Sequence, residues 1–520
     1  NAMSAAKPTQ ERSKESRKEG KGEAEPDEKS PLSSPSAYQA SGGHTGEIAR
    51  PVECDDFIHK IAKYAGTFNI LAFVDALMFV GNIGGTLYKK SLAANGAPVY
   101  RCSIGLETIV VADHTSASFV IGSTSDVFDR EKHKRFGPIG IPEYIMKTAW
   151  PVLTASDAFG HKVNRALTVA VLHSRMPLLQ AAFDRSASLA YQFIFEKYAE
   201  GNGPYRNIHD VALKISGDLI YEWLLGCRPP SWEALTTYPF NALSMINTDT
   251  WIGDQLATFF SKAMVWYKNG YATRDESLKI YHRSPVYKEF EKMAQDMGFP
   301  TKDMEYWLMM FMQLNGTAGL GLPLCQALSV LGDQQTILSL LRDEVDGHQL
   351  TLDSMDKFPL LDSFAWETMR LFIRPTILFK EAQRDVEIPA GDGKLYVVKK
   401  GELVVVNVPL ASRDPSVFDH PFEFNAHRFM KNPELKKKVF AFGMVDGHDI
   451  PSARFGCAMR SAGVGNELFK LTLGTFIQRV DWALDGQPDF RKRLGQYDPE
   501  SLGVTYLKPR PEYLASLQKK

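Results

Sequence analysis

The segment FAWETMRLF, residues 364–372, places two charged side chains in an otherwise apolar helical pattern. Glu367 and Arg370 are three positions apart, so on a helix they lie on one face and can form an ion pair. The aromatic and aliphatic neighbours leave little polar surface, which indicates burial. A chain that buries a carboxylate and a guanidinium must supply further hydrogen-bonding partners, and this requirement restricts its fold.

A second arginine is the natural third partner of such a pair. Arg428, in the loop FEFNAHRF, is the candidate further along the chain. The alternative is an exposed Glu367–Arg370 pair that contributes little to stability. The apolar surroundings favour the buried three-residue network.

A single cysteine, Cys457, stands in the loop RFGCAMRSAG, residues 454–463. The apolar periodicity after it predicts that a helix begins shortly beyond the loop. The backbone N–H groups and the positive end of that helix dipole would stabilise a thiolate. From these residues alone, Cys457 is a buried small hydrophobe, a nucleophile or a metal ligand.

The composition is that of an ordinary globular protein, with 44% hydrophobic residues and a formal net charge of -1. No Lys/Arg-rich block lies in the folded part, so we expect no nucleic-acid partner. The five cysteines are scattered and lack CxxC spacing. This pattern argues against a disulfide framework or a structural zinc site and favours a reducing compartment.

Residues 1–48 are rich in Lys, Glu, Ser and Pro, and we expect a disordered tail that starts with the cloning remnant Asn-Ala-Met. Residues 49–520 show no linker or repeat and predict one domain. A domain of that size is unusual, and a large buried cofactor would explain it. The apolar run 67–85 is too interrupted for a good membrane span, so it favours a buried core segment, with shallow membrane docking as the alternative.

The apolar periodicity predicts a mainly α fold with a smaller β region supplied by both ends of the domain. Strands are expected early, in PVYRCSI and TIVVAD, and after residue 376. The alternating Val-rich run around 399–401 predicts a hairpin. The expected helices cover about 162–200, 207–227, 253–268, 303–331 and 353–373.

Four features follow one another along the chain: ExxR on a helix, several strands, a Pro/Phe-rich loop with an arginine, and one cysteine before a C-terminal helix. In this order they resemble the cytochrome P-450 heme-thiolate enzymes. The resemblance covers about residues 50–520 and implies the cytochrome P-450 fold, a triangular helical domain around a buried heme b (iron protoporphyrin IX). It implies that Glu367, Arg370 and Arg428 lock the core beneath the heme and that Cys457 is the axial ligand. The cysteine loop is longer than usual in the family, and Met459 replaces a glycine.

The stretch MMFMQLNGTAGLGLPLCQAL, residues 309–328, resembles the long central helix on the distal face of the heme. Oxygen-activating relatives usually carry an acid–alcohol pair there, but this sequence has no acid between Glu305 and Asp333. Pro323 predicts a kink. An amide such as Asn315 can hold a peroxide without titrating, and it resembles the distal Asn of the allene oxide synthase and hydroperoxide lyase branch. Asn315 and Thr317 are therefore the candidate catalytic residues.

Basic residues near both ends of the domain are candidates for the heme propionates. His161, Lys162 and Arg165 begin a predicted helix where the family often places such contacts, although a solvated basic face explains them equally well. Arg454 lies three residues before Cys457, and its guanidinium matches a carboxylate. His448, in the extended loop, fits a solvated histidine better than a metal ligand.

Three functions fit these residues. The first is an enzyme of the lyase or isomerase type that rearranges, dehydrates or cleaves fatty-acid hydroperoxides, with a small-molecule lipid substrate and no reductase. The second is a monooxygenase that depends on O2 and a reductase. The third is a non-catalytic heme-binding relative. We expect a cytoplasmic protein, with peripheral membrane association as the alternative.

Overall fold

Most α-helices of the described part pack around one large apolar core, and two smaller apolar clusters lie along the strands. The computed structural model describes residues 46–56, 83–104, 107–124, 126–129, 160–201, 207–229, 276–298, 301, 304–305, 308, 311–372, 377–440, 444–445, 448–449, 464–486 and 503–518. Its α-helices include α1 Ile83–Ala93, α2 His114–Gly122, α3 Gly160–Arg175, α4 Leu179–Ala199, α5 Ile208–Leu225, α6 Tyr287–Asp296, α7 Gly319–Asp333, α8 Gln335–Val345, α9 Pro359–Leu371, α10 Val408–Ala411, α11 Arg428–Lys431, α12 Gly465–Arg479 and α13 Pro511–Gln518.

The helix order agrees with the sequence pattern. The predicted helix at 162–200 is present but divided by a short 3-10 turn at Met176–Leu178, where a proline interrupts the hydrogen bonds. The predicted helix at 303–331 contains a π-helix, Phe311–Ala318, directly before α7. The predicted helix at 253–268 lies outside the described residues.

The strands are contributed by the two ends of the domain, as the sequence predicted. Their bounds are β1 Glu47–Ala49, β2 Val52–Glu53, β3 Val99–Ser103, β4 Glu107–Val111, β5 Phe128–Asp129, β6 Ile377–Ala382, β7 Val386–Pro389, β8 Lys394–Val398, β9 Leu403–Asn407, β10 Met444–Val445, β11 His448–Asp449, β12 Val480–Leu484 and β13 Val504–Pro509. The largest sheet has the order β2-β3-β4-β9-β6-β5. Because β9 pairs parallel with β4 and antiparallel with β6, early and late parts of the chain meet at its centre.

The predicted hairpin at 399–401 is wrong. The flanking strands enter different sheets, because β8 pairs with β7 and β1, whereas β9 pairs with β4 and β6. Backbone N–H groups of the connection bind elsewhere: Lys400 donates to the Asp385 carboxylate at 2.9 Å, and Gly401 donates to the Ala382 carbonyl at 2.8 Å. The turn therefore carries the chain from one sheet into the next.

Among the described residues the first strand is β1, which begins two residues before the predicted boundary at residue 49. Glu47–Ala49 pairs in parallel with Lys394–Tyr396 of β8. Residues 1–45, and the apolar run up to residue 82, lie outside the described residues. Among the helices that the structure describes, none is both long enough and apolar enough to cross a membrane.

Candidate functional site

A buried ion pair lies in the C-terminal half of α9. Arg370 donates from Nε to Glu367 Oε2 at 2.8 Å and from Nη2 to Oε1 at 2.8 Å. Neither side chain is exposed to solvent. Such a two-bonded contact between a guanidinium and a carboxylate is the geometry in which an arginine pairs most strongly.

The structure brings Arg428 of α11 to the same carboxylate. Its Nε lies 3.1 Å from both oxygens of Glu367, and the backbone N–H of Asn425 donates to Oε1 at 2.9 Å. The remaining guanidinium donors are satisfied by backbone carbonyls of the loop 412–423. Arg370 donates to Ser412, Pro421 and Glu423, and Arg428 donates to Asp419, His420 and Glu423. These bonds offset the cost of removing the three charges from water.

A fourth member of this cluster, Arg413, was missed by the sequence analysis. It is 3% exposed and donates to the carbonyl of Pro409 at 3.0 Å and to that of Leu371 at 2.8 Å. Burial and the neighbouring Arg370 lower the pKa of Arg413 to about 9. Its sequence signal is an arginine that follows an apolar strand and a one-turn helix, VVVNVPLAS.

The segment that leads toward the cysteine loop is held by α2. His114 Nε2 lies 3.0 Å from the carbonyl of Lys438, and the His114 ring packs on Phe440 at 4.9 Å between centroids. The backbone N–H of His114 donates to the Asp414 carboxylate at 2.8 Å. The start of this segment is thereby tied to the loop that also carries Arg413.

The π-helix Phe311–Ala318 contains two of the predicted site residues, Asn315 and Thr317. Thr317 is 1% exposed, and its hydroxyl donates to the carbonyl of Met312 at 2.8 Å. The donor of Thr317 is thus bound to the helix backbone. Gly319, at the start of α7, is exposed between buried neighbours, so the backbone is open to an approaching group there.

Glu305, the last acid before the acid-free stretch, is hydrogen-bonded near the protein surface. Its Oε1 lies 2.6 Å from His282 Nε2 and accepts a hydrogen bond from the Tyr287 hydroxyl at 3.0 Å. Burial, followed by the hydrogen bond to Glu305, raises the pKa of Tyr287. The carboxylate therefore serves a contact between helices.

Comparison with known proteins decides the family. The family model described as cytochrome P-450 matches residues 287–444. A mitochondrial hydroperoxide bicyclase of Plasmodiophora brassicae is 40% identical over 483 residues, which cover 91% of this chain and 88% of that protein. The chain is a cytochrome P-450. Its cofactor is therefore heme, and the predicted fold class is confirmed.

Other relatives convert hydroperoxides or make epoxyalcohols, according to their names. An epoxyalcohol synthase of Ectocarpus siliculosus is 29% identical over 85% of this cytochrome and 96% of its own length. A fatty acid hydroperoxide lyase of Solanum lycopersicum is 32% identical over 39% of this cytochrome and 42% of its own length. The resemblance to the hydroperoxide-converting branch, predicted from the central helix, is confirmed.

The described residues fit a heme. Exposed Gly319 offers open backbone on the central helix, and α12 begins eight residues after Cys457, as predicted for the helix that follows the cysteine loop. Cys457 and Arg454 themselves lie outside the described residues. For five other predicted site residues the structure describes only the backbone. The backbone of His161, Lys162 and Arg165 lies in α3, that of Asn315 lies in the π-helix, and that of His448 lies in β11.

Proposed function

We propose that this cytochrome rearranges fatty-acid hydroperoxides by using the oxygen of the peroxide itself, without dioxygen or a reductase. The observation that carries the proposal is the central helix without an acid. The sequence contains none from 306 to 332, and Glu305 is bound to His282 and Tyr287. A hydroperoxide substrate already carries both oxygen atoms of the peroxide group. Its rearrangement therefore does not need an acid on the central helix that delivers protons to bound dioxygen.

Cys457 is the proposed heme ligand, and Asn315 is the proposed distal group. A heme bound through a thiolate supplies electron density that promotes O–O cleavage. The amide of Asn315 would hold the peroxide group, because an amide donates and accepts hydrogen bonds without changing its charge. Its position supports this role, since Asn315 precedes the exposed Gly319 by four residues, which is about one helical turn.

The proposed partners of the heme propionates are Arg454, Arg165, Lys162 and His161. A guanidinium pairs with a carboxylate through two parallel hydrogen bonds, so each arginine can hold one propionate. We propose that the network of Glu367, Arg370 and Arg428 holds the core beneath the heme, in agreement with the burial and mutual bonds of the three side chains.

Isomerisation is the outcome that the relatives favour over cleavage. Three relatives that cover most of the chain are named as two hydroperoxide bicyclases and an epoxyalcohol synthase, whereas the lyase covers less than half. We therefore propose that the product has the same elemental composition as the hydroperoxide. Mass spectrometry distinguishes this isomer from a product that has lost water and from two shorter fragments.

The decisive assay uses purified holoenzyme and a conjugated-diene fatty-acid hydroperoxide, with no reductase or NADPH. Fast loss of the diene absorbance supports the proposal. Turnover that begins only after a reductase and NADPH are added supports a monooxygenase and contradicts it. Inertness in both arms, together with ordinary heme ligand spectra, indicates a non-catalytic relative.

The location in the cell and the membrane contact are open to direct measurement. Because two relatives are named as mitochondrial, a mitochondrial location competes with the cytoplasmic one predicted from the sequence. Fractionation of the source cells separates the two locations, and a carbonate wash of the membrane fraction tests peripheral association.

A further inference from the structure

The last residue of α12, Arg479, places a cation between two tyrosine rings. Its guanidinium carbon lies 5.4 Å from the ring centre of Tyr191 in α4 and 5.3 Å from that of Tyr513 in α13. Arg479 Nη1 is buried and has no hydrogen-bond partner among the residues that the structure describes. Because a buried donor without an acceptor is costly, this nitrogen indicates a bound group that the protein itself does not supply.

The hydroxyl of Tyr191 is a second buried group without a partner, and it belongs to one of these two rings. Tyr191 is 1% exposed, and its hydroxyl oxygen forms no hydrogen bond within the described part of the chain. Burial raises the pKa of Tyr191, and the nearby charge of Arg479 only partly opposes this rise. The hydroxyl is therefore protonated at neutral pH and can donate a hydrogen bond beside the cation.

The acids that follow Arg479 and Tyr513 most closely along the chain belong to other ion pairs. Asp481 lies 3.2 Å from Arg342, and Glu512 lies 3.5 Å from Arg510. In the described ranges no carboxylate lies within ion-pair distance of Arg479. The negative end of the α12 dipole favours a cation at this position, but it leaves Nη1 without an acceptor.

The charge and the donors of this site fit a carboxylate. Arg479 carries one positive charge, and its Nη1 and the Tyr191 hydroxyl are two donors for the two oxygens of one carboxylate. A phosphate group carries up to two negative charges and three acceptor oxygens, which would need more donors. The rings of Phe476 and Phe195 lie 6.0 and 6.5 Å from the Tyr191 ring, so the surroundings also suit an apolar chain attached to the carboxylate.

We propose that Arg479 and Tyr191 form a binding site for a carboxylate, bounded by α4, α12 and α13. The bound acid is a small organic acid or the head group of a fatty acid, because both offer the same carboxylate. Tyr513 connects the site to α13, so occupancy should also hold this C-terminal helix in place. The site shares no residue with those proposed for the heme or the peroxide group, and it does not depend on the proposed function.

The test measures Tm of the holoenzyme in sodium acetate, sodium octanoate, phosphate and chloride at equal ionic strength. We expect a saturable rise of ~2–4 °C with acetate or octanoate and none with phosphate or chloride. An equal rise with acetate and octanoate identifies a small-acid site, and a rise at much lower octanoate concentration identifies a fatty-acid site. A rise that is the same for all four salts would overturn the proposal.

Two tyrosine variants show whether the rise comes from this site. Tyr191→Phe should abolish the rise and leave Tm without added acid nearly unchanged, because it removes a hydroxyl that has no partner. The matched control, Tyr198→Phe, removes a hydroxyl of α4 that donates to the Thr505 carbonyl at 2.7 Å, so it should lower Tm but keep the rise. A rise that persists in Tyr191→Phe would contradict the proposal.

A crystal structure of the holoenzyme grown in acetate gives an independent answer. It should show a carboxylate within hydrogen-bond distance of Arg479 Nη1 and the Tyr191 hydroxyl. A water molecule alone between these two groups would overturn the proposal. Neither measurement requires turnover, so the site can be judged even if the enzyme converts no hydroperoxide.

Discussion

Glu367 and Arg370 lie one turn apart on α9 and form two hydrogen bonds of 2.8 Å with neither side chain exposed. Arg428 reaches the same carboxylate from α11, more than fifty residues later. One carboxylate therefore joins the central helical core to the loop that precedes the cysteine segment.

Removal of this charge should destabilise the whole domain. In Glu367→Gln, two buried guanidinium groups lose their counter-ion, and we expect the free energy of unfolding to fall by about 3–5 kcal/mol with loss of heme during purification. Heme content per chain and urea unfolding measure the effect. The control is Glu423→Gln, because Glu423 contributes only its backbone carbonyl to the network and its side chain is exposed. Equal stability of the two variants would contradict this account.

Arg413 should contribute less than Glu367 to the free energy of unfolding. Arg413→Met leaves the carbonyls of Leu371 and Pro409 without their donors but also removes a cation beside Arg370. We expect a loss of about 1–3 kcal/mol in urea unfolding. A loss as large as that of Glu367→Gln would show that Arg413 takes part in the ion pair itself.

The ionisation of Asp362 should make the free energy of unfolding depend on pH in the acid range. Burial disfavours its charge, but Lys470 at 3.0 Å and Lys436 outweigh that cost and lower the pKa of Asp362 below 3.8. The unfolded carboxyl titrates near 3.8, so the stabilisation is complete above that pH and is lost as the pH falls through the lower, folded value.

The corresponding experiment compares Asp362→Asn with the wild type by urea unfolding between pH 7 and pH 3. We expect a deficit of about 1–3 kcal/mol at pH 7 that shrinks below pH ~4. The control, Glu434→Gln, removes an exposed partner of Lys437 and should change stability little at any pH. A deficit for Asp362→Asn that stays constant down to pH 3 would be inconsistent with this linkage.

Cys457 should be the thiol on which the heme spectrum depends. The reduced carbon monoxide adduct of the wild type should show the red-shifted thiolate band, and Cys457→Ser should lose it. Cys227→Ser is the control, because burial raises the pKa of the half-buried Cys227 thiol to about 11 and keeps it protonated. Persistence of the band in Cys457→Ser would refute the assignment.

The sequence predicted those features that depend on local pattern. The i, i+3 spacing and the apolar neighbours were sufficient to predict the buried pair of Glu367 and Arg370, and the order of the motifs indicated the family. The single arginine of FEFNAHRF was sufficient to nominate Arg428. In each case the chemistry of a few residues restricts the possible partners.

The remaining features depend on contacts between distant segments. The pattern around 399–401 resembles a hairpin, but Asp385 and Ala382 bind the turn and direct β9 to β4. Likewise, the glycines and Pro323 indicated an irregular central helix, whereas the π-helix Phe311–Ala318 and its close approach to Ile220 at Gly316 were not predicted. Such competition between local pattern and tertiary contact is invisible in one sequence.

The most direct test of the proposed function follows the two oxygen atoms of the substrate. A fatty-acid hydroperoxide labelled with 18O in both peroxide positions is incubated with the holoenzyme, unlabelled water and air, without a reductase. The account predicts an isomeric product that retains both labelled atoms. Consumption only with a reductase, or entry of unlabelled oxygen from air in place of the label, would contradict it.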